Sequence, residues 1–441
     1  MSINASEQRL AALSRQTFLS LWSYQNPFYD KGKELCDVLI VFGDDVIIMS
    51  DKLIGYKTDT PPGVAWGRWN KRAIINSISQ LRGALKTIRD QPTAIYLDAK
   101  TSSPFPLSFP AQPRFHLIAI AHGSEEACKS ARGTPSLMID SRTGQAEEPF
   151  RVGTFFSDFF VHVFNTTTLD ALFECFDTTA DFIHYLNAKE HLFSASGGSW
   201  VDGEENLIAL FVSTRHPNGQ GKFTRHFAND AISTADIAAA KSDEWQRLRA
   251  SEAFVNRKER LKSSYIIDNL IQQFAADIDN SALVIGQSLE LGQHAEAFST
   301  LASEPRMARL LIGYAVADVL KEDPKTFWSV AVNSPEYSDV MYIWLIYPQV
   351  SEEISDEELE LIVGRELNKY VYVAMAKFIN MKRFYGIALP NVASNRTSRF
   401  FQFAERSLWT DDMQREADEM SQREGILKNV ESTTRGVSES Y

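Results

Sequence analysis

Two short apolar runs separated by one polar turn constrain the fold of this chain more than any other feature. The stretch from Val38 to Met49 is rich in β-branched residues and is broken only by Gly43-Asp44-Asp45. Apolar runs of this length around a Gly-Asp turn predict a β-hairpin over about residues 36–50. Because a hairpin pairs its two outer ends, Asp37 and Lys52 are expected to lie on neighbouring strands.

The strand pattern also predicts how the polar side chains of the hairpin are directed. Side chains alternate along a strand, so Ser50 and Lys52 are expected on one face and Asp51 on the other. Asp44 and Asp45 are expected to be turn residues, because Asp forms local hydrogen bonds with the backbone.

The polar residues around the hairpin resemble a known active site. The segments Glu34-Leu35-Cys36-Asp37 and Ser50-Asp51-Lys52 resemble the PD-(D/E)XK nuclease superfamily, in particular its nuclease-related and Holliday-junction-resolvase-like branches. In that superfamily an acidic residue opens one strand, and the next strand ends in Glu/Asp-x-Lys. By this resemblance Asp37 matches the first acid, Lys52 the lysine and Glu34 an additional upstream acid. The resemblance covers roughly residues 1–125 and implies a restriction-endonuclease-like α/β domain.

The chain departs from the superfamily pattern at one position, where Ser50 stands in place of the second carboxylate. A subgroup of type II restriction enzymes tolerates Ser-x-Lys by taking a carboxylate from a neighbouring helix. Here the following helix has no acid before Asp90, so Glu34 is the nearest second ligand. The resemblance also implies that Ser50 contacts a metal-bound water and that Gln80 points into the site; the alternative for Gln80 is an ordinary polar helix position.

The chemistry implied by this resemblance is metal-dependent phosphodiester hydrolysis. A divalent cation activates water and neutralises charge on phosphate oxygens, and Mg²⁺ (or Mn²⁺) suits a site made of few protein oxygens. Asp37 and Glu34 would hold the metal, and Lys52 would position the attacking water. DNA is the expected substrate and RNA the alternative, with phage defence or DNA repair as the implied context. A rival hypothesis is a catalytically degenerate module that binds nucleic acid or protein.

A basic segment follows the hairpin. The residues from Thr60 to Arg89 include no Asp or Glu, and the segment carries Trp66 and Trp69. Such a segment suits a surface for the phosphate backbone, with aromatic rings available for stacking. The equally weighted alternative is a solvated helix face whose tryptophans fill the core. The basic residues expected to bind nucleic acid are Arg68, Lys71, Arg72, Arg82 and Lys86.

A second Asp-x-Lys sequence, Asp98-Ala99-Lys100, is a rival for the site. It follows the predicted strand Ala94–Leu97, and its partner would be Asp37 or Asp51. We rank it second, because a helix separates it from the hairpin and because Asp at a strand end is common in loops.

The order of predicted elements indicates an α/β fold with several domains. The nuclease-like domain is expected over residues 1–125, a mixed α+β region over 126–235, a mainly helical domain over 236–430 and a flexible tail over 431–441. The whole chain also resembles bacterial proteins whose N-terminal part is nuclease-related. The main predicted elements are helices at 6–22, 70–90 and 168–190, strands at 115–121, 344–347 and 385–389, and a long helix that starts at a capping box, Ser355 to Glu358.

Composition and charge limit the function classes. No apolar run reaches the roughly 20 residues of a membrane helix, and the first residues lack the pattern of a signal peptide. Three scattered cysteines favour a reducing cytoplasm.

Residues 1–125 hold 14 Lys and Arg against 11 Asp and Glu, whereas the remainder holds 31 against 46. Any polyanion is therefore expected to bind the N-terminal part, and the acidic C-terminal region is a candidate surface for homo-oligomers or a protein partner.

Overall fold

The protein is a mixed α/β chain, here described from a computed structural model. The structure describes residues 5–30, 32–140, 148–156, 159–195, 200–213, 242–279 and 298–428. The chain divides between Lys258 and Glu259 into two compact units. The predicted boundary at 235 and the predicted tail at 431–441 lie outside the described residues. Among the described helices, none is both long and apolar enough to cross a bilayer.

The first unit contains three sheets. Its strands are β1 (Ser23–Gln25), β2 (Phe28–Tyr29), β3 (Lys33–Glu34), β4 (Val38–Phe42), β5 (Asp45–Leu53), β6 (Ile95–Tyr96), β7 (Arg114–His122), β8 (Met138–Asp140), β9 (Arg151–Gly153), β10 (Phe155–Phe156), β11 (Phe159–Phe164) and β12 (Trp200–Asp202). Its helices are α1 (Ala5–Phe18), α2 (Pro62–Asn70), α3 (Asn76–Asp90), α4 (Glu125–Arg132), α5 (Thr166–Cys175), α6 (Thr179–Ala195), α7 (Glu204–Ser213), α8 (Glu244–Ala250) and α9 (Glu252–Leu261), the last of which runs across the unit boundary.

The central six-stranded sheet has the strand order β1-β4-β5-β7-β11-β10. Its first three strands pair antiparallel, and β5, β7 and β11 then run parallel. The chain reaches β7 from β5 through α2 and α3, as a parallel connection requires. Because β11 belongs to this sheet, the predicted domain boundary near residue 125 falls within one sheet. The strands β3-β2-β6 and β12-β8-β9 form the two smaller sheets.

The predicted hairpin is present as β4 and β5. Val38 lies opposite Met49, and the register continues to Phe42 opposite Asp45. Gly43 has a φ of +57°, a conformation that glycine adopts without steric cost in a two-residue hairpin turn. The expectation for Asp45 was wrong: it is the first residue of β5 and is buried, because Arg114 and His116 hold its carboxylate.

The helix predicted at 70–90 begins earlier, at Pro62, and contains a π-helical segment, Lys71–Ile75, between α2 and α3. Proline is favoured in the first turn of a helix, where its missing N–H costs nothing.

The helix predicted at 168–190 is two helices, α5 and α6. The predicted strand at 94–97 forms β6, which pairs with β2 outside the six-stranded sheet.

Besides its helices, the second unit contains a four-stranded sheet that forms its core. The order is β13-β14-β15-β16, and β14 pairs in parallel with β15. All eight residues of β14 are buried, which explains its continuous apolar sequence. The elements are β13 (Trp328–Asn333), β14 (Val340–Tyr347), β15 (Arg383–Pro390), β16 (Phe400–Glu405), α10 (Tyr265–Asp279), α11 (Arg306–Val319), α12 (Asp356–Lys377) and α13 (Asp411–Glu424).

The long helix α12 packs on this sheet. Its N-terminus has the predicted capping box, in which Ser355 accepts from the Glu358 backbone amide and Glu358 accepts from the Ser355 amide. Leu367 and Val371 lie over Gly386 of β15, where a Cβ atom would approach Val371 to 2.7 Å. Glycine at this position therefore permits the close contact between helix and sheet.

Candidate functional site

Asp37 is held in a fixed position at the start of β4. Its Oδ2 atom accepts a hydrogen bond of 2.7 Å from the backbone amide of Asp51, and its own amide donates to the Met49 carbonyl at 3.0 Å. Continuing the hairpin register places Asp37 opposite Ser50. Only 6% of Asp37 is exposed. The hairpin pairing therefore fixes one carboxylate at the edge of the buried strand.

The electrostatic surroundings of Asp37 include two residues that the sequence predicted for the site. Burial raises the pKa of Asp37 to about 6, and the charges of Glu34 and Asp51 act in the same direction. The Lys52 ammonium and the Asp51 amide oppose this rise. Glu34 ends β3 and is half-buried, and Lys52 is half-buried near the end of β5. Glu34 and Lys52 are therefore close enough to Asp37 to change its ionisation.

Ser50 and Gln80 join the same face of the sheet. The Ser50 hydroxyl donates to Oε1 of Gln80 at 3.0 Å. Ser50 is completely buried, and Gln80 projects from α3, which packs on β5. The hairpin register and this hydrogen bond link Asp37, Ser50 and Gln80, and the charges of Glu34 and Lys52 act on Asp37.

Asp51 points to the opposite face of the sheet and does not replace the missing carboxylate. Its Oδ1 atom lies 2.8 Å from Nε2 of His122, at the end of β7. His122 Nδ1 in turn lies 2.7 Å from the hydroxyl of Thr166, which also contacts Glu125 at 2.9 Å. These polar groups connect the carboxyl ends of β5 and β7 to the first residue of α5.

The basic residues of the helical segment are exposed, but its tryptophans are not. Trp66 and Trp69 are each 2% exposed, and the Trp69 indole donates to the Ile54 carbonyl at 2.9 Å. Of the two interpretations of these rings, the structure supports the one in which they fill the core, here beneath α2. The predicted contact residues lie on the outer surface and form no ion pair with another described residue; they are Arg68, Lys71, Arg72, Arg82 and Lys86.

The second Asp-x-Lys sequence forms a local loop. The Asp98 carboxylate accepts hydrogen bonds from the amides of Lys100 at 2.8 Å, Ser102 at 3.0 Å and Ser103 at 2.6 Å. Burial raises the pKa of the half-buried Asp98, but these hydrogen bonds outweigh it and lower the pKa. Asp98 follows β6, which belongs to a different sheet from the hairpin. Its geometry is that of a carboxylate that stabilises its own turn.

Sequence reasoning missed a second polar cluster, on the face of the six-stranded sheet opposite Ser50. Nδ1 of His116 and Nε2 of His162 lie 2.8 Å and 2.9 Å from the same oxygen, Oε1 of Glu190. Nε2 of His116 also lies 3.0 Å from Oδ1 of Asp45. Each histidine interrupts an apolar run, Phe115 to Ala121 in β7 and Phe159 to Phe164 in β11, and that was the available sequence signal.

The protonation of this cluster differs between the two histidines. Burial lowers the pKa of His116, but hydrogen bonds to Asp45 and Glu190 outweigh burial and raise this pKa to about 9. Burial also lowers the pKa of His162, to about 4, since its bond to Glu190 only partly compensates. Burial raises the pKa of Glu190, but the two histidines outweigh it and bring this pKa to about 2. The result is a charged His116 between two carboxylates and a neutral His162.

Comparison with known proteins finds no matching family model, no matching curated protein and no matching solved structure.

Proposed function

We propose that this chain is a metal-dependent nuclease that acts on DNA at the face formed by β4, β5 and α3. The observation that carries the proposal is the convergence of Asp37, Ser50 and Gln80 on one face, with Lys52 and Glu34 close enough to act on Asp37 electrostatically. The resemblance of these residues to the PD-(D/E)XK pattern supports the same activity.

The donor atoms at this face fit a hard divalent cation. Asp37 uses Oδ2 for the Asp51 amide, and its raised pKa reflects a buried carboxylate whose charge is incompletely compensated. Carboxylates of Asp37 and Glu34, with the neutral oxygens of Ser50 and Gln80, form an all-oxygen set of the kind that Mg²⁺ and Mn²⁺ prefer. When bound, such an ion would lower the pKa of a water molecule and neutralise charge on the phosphate.

The chain's own residues would perform the remaining tasks. Lys52 would orient the attacking water and place positive charge beside the phosphate oxygens as their charge develops. Ser50 and Gln80, already hydrogen-bonded to each other, would position water at the metal ligands. The exposed cations of the segment from Arg68 to Lys86 would hold the phosphate backbone.

A second candidate function is nucleic-acid binding without cleavage. The observation that favours it is Ser50, which leaves the strand without the second acid and is already engaged by Gln80. Binding by the basic helix face requires neither a metal ion nor Glu34.

The test is cleavage of supercoiled plasmid and single-stranded DNA by the purified full-length protein, with Mg²⁺, Mn²⁺ or EDTA. Asp37→Asn keeps an acceptor for the Asp51 amide but removes the charge, and Lys52→Ala removes the ammonium. We expect metal-dependent cleavage that falls about 100-fold or more in each variant, as is usual when a group that stabilises the transition state is removed.

Matched controls are Asp44→Asn and Lys57→Ala, which change the same residue types at exposed positions in and beyond the hairpin. Both controls should cleave at the wild-type rate. DNA binding without cleavage under every metal condition would support the second function, and cleavage that survives both site variants would contradict the assignment of the residues.

A further inference from the structure

The cluster of His116, His162 and Glu190 joins three elements in the middle of the first unit. His162 of β11 lies opposite Ile118 of β7, so His116 and His162 stand two positions apart on the same sheet face. Glu190 reaches them from α6, which makes this cluster a connection between helix and sheet. One ligand atom from each residue can be chosen so that all three atoms lie within 4.8 Å of one another.

We propose that His116, His162 and Glu190 form a zinc site that ties α6 to the centre of the six-stranded sheet. Two imidazole nitrogens and one carboxylate oxygen are a donor set typical of Zn²⁺, with a fourth position left for water. The nitrogen donors disfavour Mg²⁺, which prefers oxygen ligands and keeps most of its waters.

The spacing of the donor atoms requires little rearrangement. At bonds of about 2.0–2.1 Å, ligand atoms of a tetrahedral zinc site lie about 3.4 Å apart. The two histidine nitrogens lie 2.8 Å and 2.9 Å from Glu190 Oε1, so metal binding would open each distance by roughly half an ångström. The Glu190 side chain can supply this movement, because 25% of it is exposed whereas the imidazoles are buried. The same exposure gives the ion a path to the cluster.

Two neighbouring contacts support the proposed ligands. Asp45 lies 3.0 Å from Nε2 of His116 and is itself fixed by Arg114 at 2.8 Å. A carboxylate on the outer nitrogen of a histidine orients the ring and directs the other nitrogen to the metal. In His162, Nε2 is the nitrogen that contacts Glu190. The other nitrogen, Nδ1, is buried and has no hydrogen-bond partner among the described residues.

The charge of the nearby lysine is compensated by a carboxylate, so the lysine does not repel a cation at the cluster. Lys189 is fully buried beside the cluster, but its ammonium lies 2.5 Å from the Glu204 carboxylate. Zinc would have to displace the protons that the histidine nitrogens share with Glu190, a general requirement for imidazole ligands. Because these residues lie on the sheet face opposite Ser50, the zinc proposal is independent of the proposed nuclease site.

The first experiment uses the wild-type full-length protein after removal of metals with a chelator. Zn²⁺ is added, and bound metal is counted by mass spectrometry after gel filtration, while thermal unfolding is followed in parallel. We expect about one zinc per chain and an unfolding midpoint raised by at least about 3 °C at zinc concentrations far above its dissociation constant. An excess of Mg²⁺ should not displace the bound zinc, because two of the three ligand atoms at this cluster are nitrogens. Co²⁺ in place of Zn²⁺ should give the visible absorption of a four-coordinate site.

The second experiment compares His162→Gln with His191→Gln. His191 neighbours Glu190 in sequence but is exposed on α6, so its replacement controls for loss of a surface histidine. We expect His162→Gln to lose the bound zinc and the cobalt absorption, and His191→Gln to retain both. Unchanged zinc in folded His162→Gln would overturn the proposed ligands. If His162→Gln does not fold, the wild-type titration decides alone: less than about 0.2 zinc per chain, with no change in thermal unfolding, would overturn the site.

Discussion

At the scale of single residues, β5 divides three consecutive polar side chains between two chemically different faces. Ser50 and Lys52 face α3 and Asp37, whereas Asp51 contacts His122 on the other side. The two buried members each lie against a polar group, Ser50 against Gln80 and Asp51 against His122. We therefore expect a change at position 50 to affect the face of the proposed metal site without disturbing the other face.

Ser50→Asp tests this division directly. The new carboxylate would lie beside Asp37 in a buried setting, so like-charge repulsion should lower the unfolding midpoint in EDTA. Mg²⁺ should restore stability, because a divalent cation compensates both charges. We expect a larger Mg²⁺-dependent rise in the thermal unfolding midpoint for Ser50→Asp than for the wild-type protein. Ser50→Asn, similar in size but neutral, is the control, and an equal Mg²⁺ response in both variants would contradict a metal site at this face.

The sequence was sufficient for residues whose position depends on the hairpin alone. Strand alternation predicts Ser50 and Lys52 on one face, and the predicted hairpin puts Asp37 on the neighbouring strand, where the register places it opposite Ser50. The sequence did not predict contacts in which the partner residue comes from an element distant in the chain. Glu190 lies 74 residues from His116, and only the packing of α6 on the sheet brings them together. Asp45 looked like a turn residue for the same reason, since its partners Arg114 and His116 lie on β7.

At the scale of elements, the segment from Pro62 to Asp90 separates its aromatic and basic side chains between two sides. The tryptophans pack inward beneath α2, and the arginines and lysines point outward. The sequence showed the charge pattern but left the direction of the tryptophans open, because the predicted helix began at residue 70 and did not include them. The outer side is therefore an electrostatic surface without stacking rings.

Reversing charge on this surface should weaken DNA binding. We expect the triple change Arg68→Glu, Lys71→Glu and Arg72→Glu to reduce the affinity for DNA. Binding should also depend less on salt, since each lost phosphate contact makes the plot of log K against log salt less steep by about 0.9. Fluorescence anisotropy with labelled DNA over a salt series measures both quantities. The control carries the same charge change on exposed residues of the second unit, Arg260→Glu, Lys321→Glu and Lys325→Glu. Equal loss of affinity in the two triple variants would mean that net charge alone drives binding.

At the scale of the whole molecule, two compact units are each organised by their own sheet, and both sheets contain antiparallel and parallel pairs. The first unit is organised by a sheet with antiparallel and parallel strands, and the second by a four-stranded sheet under α12. The strands at 340–347 and 383–390 were visible in part as apolar runs, but their neighbours β13 and β16 were not. Both neighbours are more exposed and lack a continuous apolar run, so only pairing identifies them.

The second unit also contains a buried acid that should make its stability depend on pH. Burial raises the pKa of Glu304 from its ordinary value of 4.5 to about 7, although Ser334 and Tyr342 hydrogen-bond to it. Because the folded state holds this proton more tightly, the stabilisation is complete below about pH 4.5 and is lost as pH rises to about 7. At about 1.4 kcal/mol per pKa unit, the loss is about 3 kcal/mol.

Chemical denaturation of the wild-type protein and Glu304→Gln between pH 4.5 and pH 8 measures this effect. The wild-type protein should lose stability relative to Glu304→Gln across that range, since the amide cannot ionise. Glu353→Gln, at an exposed position of the same unit, should follow the wild-type curve. Parallel curves for the wild-type protein and Glu304→Gln would show that this carboxyl does not titrate in the range.

The most direct test of the central claim is to locate a divalent ion by anomalous diffraction from crystals grown with Mn²⁺. A nuclease site at the hairpin requires a peak within about 2.5 Å of an Asp37 carboxylate oxygen, on the face shared with Ser50 and Lys52. The same experiment with Asp37→Asn should lose that peak. Millimolar Mn²⁺ without a peak at Asp37, or with peaks only elsewhere in the molecule, would contradict the proposed metal-dependent chemistry.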